Sequence, residues 1–152
     1  MLTIIRDPLT SQAIKDLLSE HLADMYATSP PESVHALDLE RLKAPDIVFW
    51  SAWQDGQLLG CIALKRHAAA MAEIKSMRTA RVARGKGVAK ALLAHLEQFA
   101  KAEGVTALYL ETGAEPYFAP ARQLYQQHGY LQCGPFADYQ PDPLSVFMQK
   151  AL

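Results

Sequence analysis

Two cysteines are all that the chain of 152 residues contains, and Cys61 and Cys133 stand far apart with no CxxC or Cys/His spacing. That argues against a disulfide or a metal site, the alternatives, and reads as two reduced structural thiols of a cytosolic protein. Long apolar runs are also missing: none approaches the ~20 residues needed to span a bilayer, so no membrane partner is expected. The start, Met1 to Asp7, lacks the basic and apolar regions of a signal peptide and reads as a strand. Net charge is nearly absent. Fifteen Lys and Arg face sixteen Asp and Glu, for a formal charge of −1, which argues against wholesale nucleic-acid binding. Internal repeats and low-complexity stretches are absent too. What is present is ordinary for a soluble globular protein: half the residues are hydrophobic and a fifth charged,. The length fits a single domain over residues 1–152 that buries about two-thirds of its extended surface.

Hydrophobic spacing orders the elements. Leu2 to Arg6 suits a strand. Thr10 or Ser11 can cap a helix carrying Ile14, Leu17, Leu18, Leu22 and Met25, which Ser29-Pro30-Pro31 breaks. Ser33 to Lys43 reads as a second helix with Val34, Leu37 and Leu42 inward. Ile47 to Trp53 and Leu58 to Leu64 flank Asp55-Gly56 as a hairpin. Glu73 to Arg78 is a strand. Val88, Leu92, Leu96 and Phe99 stripe a helix that Gly104 ends. Val105 to Glu111 is a strand, and Ala119 to His128 a short helix. Tyr130 to Cys133 and Ser145 to Gln149 close the chain around a Pro-rich loop. The class is α/β with a mixed sheet.

Arg84-Gly85-Lys86-Gly87-Val88-Ala89 is the most informative segment. Small residues where a strand passes into a helix let backbone approach a ligand, and the first helical turn has N–H groups without intrahelical partners at the positive end of the dipole. Such a step can cradle phosphate oxygens. From Lys75 to Lys90 there are six cations (Lys75, Arg78, Arg81, Arg84, Lys86, Lys90) and no acid, so the remaining nine cations face all sixteen acids. The alternatives are a tight turn and a solvated charged face. Neither a Walker loop nor a dinucleotide fingerprint is written here.

These residues and this element order resemble the GNAT superfamily of N-acetyltransferases. The family signature is Gln/Arg-x-x-Gly-x-Gly/Ala, matched by Arg84, Gly87 and Ala89. A second segment, Ala121-Arg122-Gln123-Leu124-Tyr125-Gln126-Gln127-His128-Gly129-Tyr130, is similar to the usual Ala-x-x-Leu-Tyr-x-x-x-Gly-Phe/Tyr. Ser29 to Ser33, Glu73 to Thr79 and Gly134 to Tyr139 look like a bacterial subgroup of unknown substrate. The resemblance implies a mixed, mostly antiparallel sheet of six to seven strands with about four helices, splayed between the fourth and fifth strands. It implies acetyl-CoA as cosubstrate, no metal, and direct transfer of the acetyl group to a primary amine of a small molecule or protein. It leaves a homodimer open. For cofactor binding it points to Arg84, Gly85, Lys86, Gly87, Val88 and Ala89, to the strand backbone at Met77, Arg78 and Thr79, and to Ala121. Phe118 stands where many members carry an Asn that contacts the pantetheine arm.

An amine with pKa ~10.4 is mostly protonated at pH 7, and neutralising it costs roughly 4–5 kcal/mol, so a base helps. The family places a glutamate base at the position of Glu73 in some members. The alternative for Glu73 is a strand-end carboxylate paired with Lys75 or Arg78. Glu111, ending the next strand, is the other candidate base, and water is a third. The leaving sulfur needs a proton, and Tyr125 matches the family tyrosine beside it; otherwise it is an amphipathic core residue. The acceptor cleft would be lined by Tyr26, Glu32 and His35 around the Ser-Pro-Pro break, and by Glu111 and Tyr139 later in the chain. His21, His67, His95 and His128 show no metal spacing. Against the enzyme stand a non-catalytic module that senses acyl-CoA and a small nucleic-acid-binding protein using the Lys75 to Lys90 cations.

Overall fold

The computed structural model describes residues 1–152. Seven strands form one sheet: β1 (Thr3–Arg6), β2 (Ile47–Gln54), β3 (Gln57–Ala68), β4 (Met71–Thr79), β5 (Ala107–Gly113), β6 (Leu131–Cys133) and β7 (Ser145–Ala151). Their order is β1-β2-β3-β4-β5-β7-β6. The helices are α1 (Gln12–Thr28), α2 (Leu39–Leu42), α3 (Val88–Ala102) and α4 (Ala119–Gln127). All neighbouring strands are antiparallel except β4 and β5. Those two run parallel because α3 carries the chain back across the sheet between them.

Local chemistry explains most boundaries. The Ser11 hydroxyl accepts from the Ile14 amide at 3.2 Å and so caps α1,. Asp55 and Gly56 both take positive φ between β2 and β3, as a two-residue hairpin turn requires,. Strand alternation then divides the core. Trp50, Ala52, Ile62 and Leu64 pack with Val88, Leu92, Leu93 and Leu96 of α3. Phe49, Cys61 and Ala63 point the other way and pack with Ile14, Leu17 and Leu18 of α1,. A β-carbon at Gly60 would stand 3.0 Å from a Val88 methyl and 2.8 Å from the Arg78 carbonyl, so glycine there lets α3 close on the sheet.

One expected helix is mostly absent. Of Ser33 to Lys43, only Leu39–Leu42 is α-helical, preceded by a single 3-10 turn at Pro31–Ser33. The Ser33 hydroxyl donates to Asp142 at 2.7 Å, and Asp38 starts a new helix by accepting from the Arg41 amide at 2.9 Å. Both polar side chains are thus committed to partners that a continuous helix would forbid. Leu42 is inward as expected, while Val34 and Leu37 are half-buried.

Two irregularities open the sheet. β4 and β5 pair only from Met71↔Ala107 to Ile74↔Leu110, after which both continue and diverge. Between Cys61↔Arg78 and Ala63↔Lys75 the register of β3 and β4 shifts, so Ser76 and Met77 together oppose Ile62. Ser76 takes a φ of 54°, the left-handed geometry of a bulge,. The β4 edge beyond Ile74 therefore faces β5 with no strand on it.

Candidate active site

Gly85 and Gly87 have φ of 78° and 79°, which side-chain-bearing residues rarely adopt, and a β-carbon on either would meet open space,. Gly87 stands at the start of α3 with no side-chain cap. The first helical bond runs from the Ala91 amide to the Gly87 carbonyl at 3.1 Å, so no carbonyl accepts from the amides of Gly87, Val88, Ala89 and Lys90. Val88 is buried and fixes the turn to the core. This arrangement fits an anion such as a pyrophosphate: donors converge, the dipole is favourable, and the space above the glycines is empty of protein.

The positive charge is smaller than the count of six suggests. Lys75 pairs with Glu73, while Arg78 and Arg81 pair with Glu20 and Asp24 of α1. Arg78 is buried, and its guanidinium turns toward α1 and away from the loop, donating to Glu20 and Asp24 at 2.5 and 2.7 Å. Those contacts hold the Asp24 carboxyl below its ordinary range, Arg78 first among the causes. Only Arg84, Lys86 and Lys90 are without an ion pair. Arg78 therefore adds no free charge at the loop, and the expectation placed on it concerned its strand backbone, which borders the opening.

A cleft of about 490 Å³ occupies the gap between β4 and β5 and runs to the glycine loop. Met77 and Thr79 form its β4 wall, with Ala121 and Tyr125 of α4 opposite. Arg84, Gly85, Gly87, Val88 and Ala89 border it, while Lys86 is exposed outside it. Phe118 lines it and packs edge-on against Tyr117 at 4.9 Å. Of the expected acceptor residues, His35, Glu111 and Tyr139 line the cleft. Tyr26 and Glu32 do not: both are exposed and point to solvent. On α1 the cleft side is taken by His21 and Met25, one helical turn apart,.

The carboxylates differ in their engagements. Glu73 is buried, and its oxygens face three donors: His67 Nε2 at 2.8 Å, the Tyr139 hydroxyl at 2.6 Å and Lys75 Nζ at 3.2 Å. The Lys75 ammonium also donates to the Tyr139 oxygen at 2.9 Å. Glu73 thus has the pairing with Lys75 that its structural alternative required. Glu111 forms no ion pair. Burial raises its carboxyl to about 7, the neighbouring Glu73 charge adds to the rise, and Ser145 and Lys75 oppose it,.

Tyr125 packs against Tyr130 at 5.6 Å, and burial pushes its phenol upward, so it keeps its proton throughout the working range. His21 is lowered to about 4 by burial and by Arg78, and is a neutral imidazole facing the cleft. His67, Lys75, His21 and Met25 were missed as site residues. For His21 and Met25 the signal was available in their four-residue spacing on α1, and for Lys75 in its place two residues from Glu73 on one strand; for His67 none was, because Glu73 meets it only in the fold.

The comparisons with known proteins agree with this geometry. The pattern of the Acetyltransferase (GNAT) family matches residues 13–130. The N-acetyltransferase YsnE of Bacillus subtilis (strain 168) is 51% identical over 96% of this chain and 97% of its own. The N-acetyltransferase YedL of Escherichia coli (strain K12) is 44% identical over 100% of this chain and 96% of its own. Among solved structures, the PaiA N-acetyltransferase of Thermoplasma acidophilum, in complex with coenzyme A, matches with a TM-score of 0.76 at 19% identity, over 100% of this chain and 99% of that one. With the splayed parallel strands, the uncapped glycine loop and the family match over most of its length, this chain belongs to the GNAT family of acetyltransferases.

Proposed function

We propose that this protein is an N-acetyltransferase that moves an acetyl group from acetyl-CoA to a primary amine by direct transfer. The observation that carries the reading is the continuity of one cleft. It begins at the uncapped α3 N-terminus and follows the unpaired β4 edge to a half-buried carboxyl and a buried phenol.

The amides of Gly87, Val88, Ala89 and Lys90 would hold the pyrophosphate, with Arg84, Lys86 and Lys90 adding charge. The free β4 edge at Met77 to Thr79 offers backbone groups to the pantetheine arm as an added strand would. Acetyl-CoA, when bound, supplies the activated thioester. Glu111 accepts the proton of the acceptor ammonium, and its raised pKa suits a base that works near neutrality,. Glu73 is better assigned to positioning: its oxygens are occupied, and it holds Lys75 and Tyr139 in the cleft wall. Tyr125 donates a proton to the departing sulfur, whose thiol has a pKa of ~8.5. Both cysteines are free, and burial pushes the Cys61 thiol up to about 12, which leaves it inert; a reducing cytoplasm is the proposed location,.

The test is a screen of amines with acetyl-CoA, reading free thiol release, beside calorimetry of coenzyme A binding. Binding together with amine-dependent thiol release is the expected result. Binding without release for any amine would leave an acyl-CoA-sensing module in its place.

A further inference from the structure

The acceptor end of the cleft contains one carboxyl in no ion pair and one ammonium with a donor to spare. The carboxyl is Glu111. The other cleft carboxylate, Glu73, has its oxygens taken by His67, Tyr139 and Lys75. The ammonium is Lys75, whose side chain is 9% exposed and lines the cleft. Its Nζ has three N–H donors and spends two, on Glu73 Oε2 at 3.2 Å and on the Tyr139 oxygen at 2.9 Å,. Beside it, His35 presents its ring to Tyr139 at 5.0 Å and makes no hydrogen bond to protein. Burial, then Lys75, lowers the His35 pKa, so this imidazole is neutral and has one N–H to give.

Register puts these groups together. Ile74 and Leu110 are the last paired residues of β4 and β5, so Lys75 and Glu111 are the next two across the opening. Ile74 and Leu110 point into the α3 core. Lys75 and Glu111 therefore both point to the other face, where the two strands begin to part,.

Resting on the transferase reading above, we propose that the acceptor is an α-amino acid, its amino group at Glu111 and its carboxylate on the spare N–H of Lys75 and the N–H of His35. An amino acid carries its two charges a few ångströms apart, as the site does. A polyamine would need several unpaired acids, and the cleft has one. The ring of Tyr139, which lines the cleft and is backed by buried Phe136 and Phe147 at 5.0 and 5.5 Å, would receive an apolar side chain.

The test measures acetyl transfer, as thiol release, to each of the twenty amino acids and to the amine left when its α-carboxylate is removed. The best amino acid should exceed its own amine in kcat/KM by at least about tenfold, because its carboxylate satisfies the Lys75 and His35 donors that the amine leaves bare. Lys75→Met should bring that ratio toward unity; if this variant does not fold, His35→Phe should lower the ratio in the same direction. Amines that match or outrun their amino acids would overturn the proposal while leaving the transferase reading intact. Coenzyme A binding with no transfer to either set would overturn the proposal, and the transferase reading would fall with it only if the wider amine screen were blank as well.

Discussion

Phe118 occupies the space that a side chain at position 113 would need: a β-carbon on Gly113 would stand 2.0 Å from Cδ2 of the Phe118 ring. The Gly113 carbonyl also accepts from Arg122 of α4 at 2.6 Å, so strand end, cleft wall and helix meet at one residue. Gly113→Ala should therefore push Phe118 off its seat. The expected cost is about 1–3 kcal/mol, as for other overpacked sites. Because Phe118 lines the cleft, coenzyme A should also bind more weakly. Melting temperature and calorimetry check the two effects, and a variant unchanged in both would show that the ring moves aside freely.

Gly87→Glu should abolish coenzyme A binding, and Gly104→Glu should not. Both glycines have positive φ, 79° and 84°, with open space where a β-carbon would go. Each substitution should lose roughly 1–2 kcal/mol of stability by forcing a left-handed residue. Only the first puts a negative side chain where the α3 amides face an anion. Calorimetry with coenzyme A on both variants separates the site effect from the shared strain.

Tyr125→Phe keeps the ring and its packing on Tyr130 and removes the hydroxyl. General acid catalysis contributes typically 10²–10⁴-fold, so turnover should drop by at least about tenfold. Coenzyme A affinity should stay within a few-fold. Because burial raises the phenol's pKa, the wild type should show no activity loss on the alkaline side attributable to Tyr125. Steady-state kinetics at saturating amine decides it; equal turnover, with chemistry limiting, would assign the proton to water.

Glu111→Gln should split activity from stability. The wild-type kcat/KM should rise as pH passes about 7, where the Glu111 carboxyl loses its proton, and this limb should vanish in the variant,. The sign for stability is opposite. Between the ordinary 4.5 and about 7, the folded protein holds a proton that the unfolded chain has released, so stability falls as pH rises through that window,. Above pH 7 the buried charge is carried in full. Gln carries none, so the variant should melt higher than the wild type at pH 8 and show no such gain at pH 4. Thermal melts across pH test this directly.

Much of the architecture was legible because its causes lie within a few residues along the chain. Ser11 caps α1, Asp55-Gly56 turns the β2–β3 hairpin, and Gly87 opens α3, each through backbone preferences that neighbours alone impose. The expected helix from Ser33 to Lys43 failed for the opposite reason: Ser33 is bonded to Asp142, more than a hundred residues away.

The sequence by itself determined the order of elements, the glycine loop at a helix start, and the residue types that an acetyl-transfer site requires. Tertiary structure decided which of those residues are free to act. Three of the six cations from Lys75 to Lys90 are neutralised by partners, two of them by α1. Glu73 is tied up by His67, Lys75 and Tyr139, while Glu111 stays unpaired with a raised pKa. Tyr26 and Glu32 face solvent while His21 and Met25 face the cleft. The reason is physical. Backbone geometry is set by short-range sterics and local hydrogen bonds, which a sequence window contains. Charge state and reactivity depend on burial and on partners brought close in space, and those exist only once the sheet has formed and its fourth and fifth strands have parted.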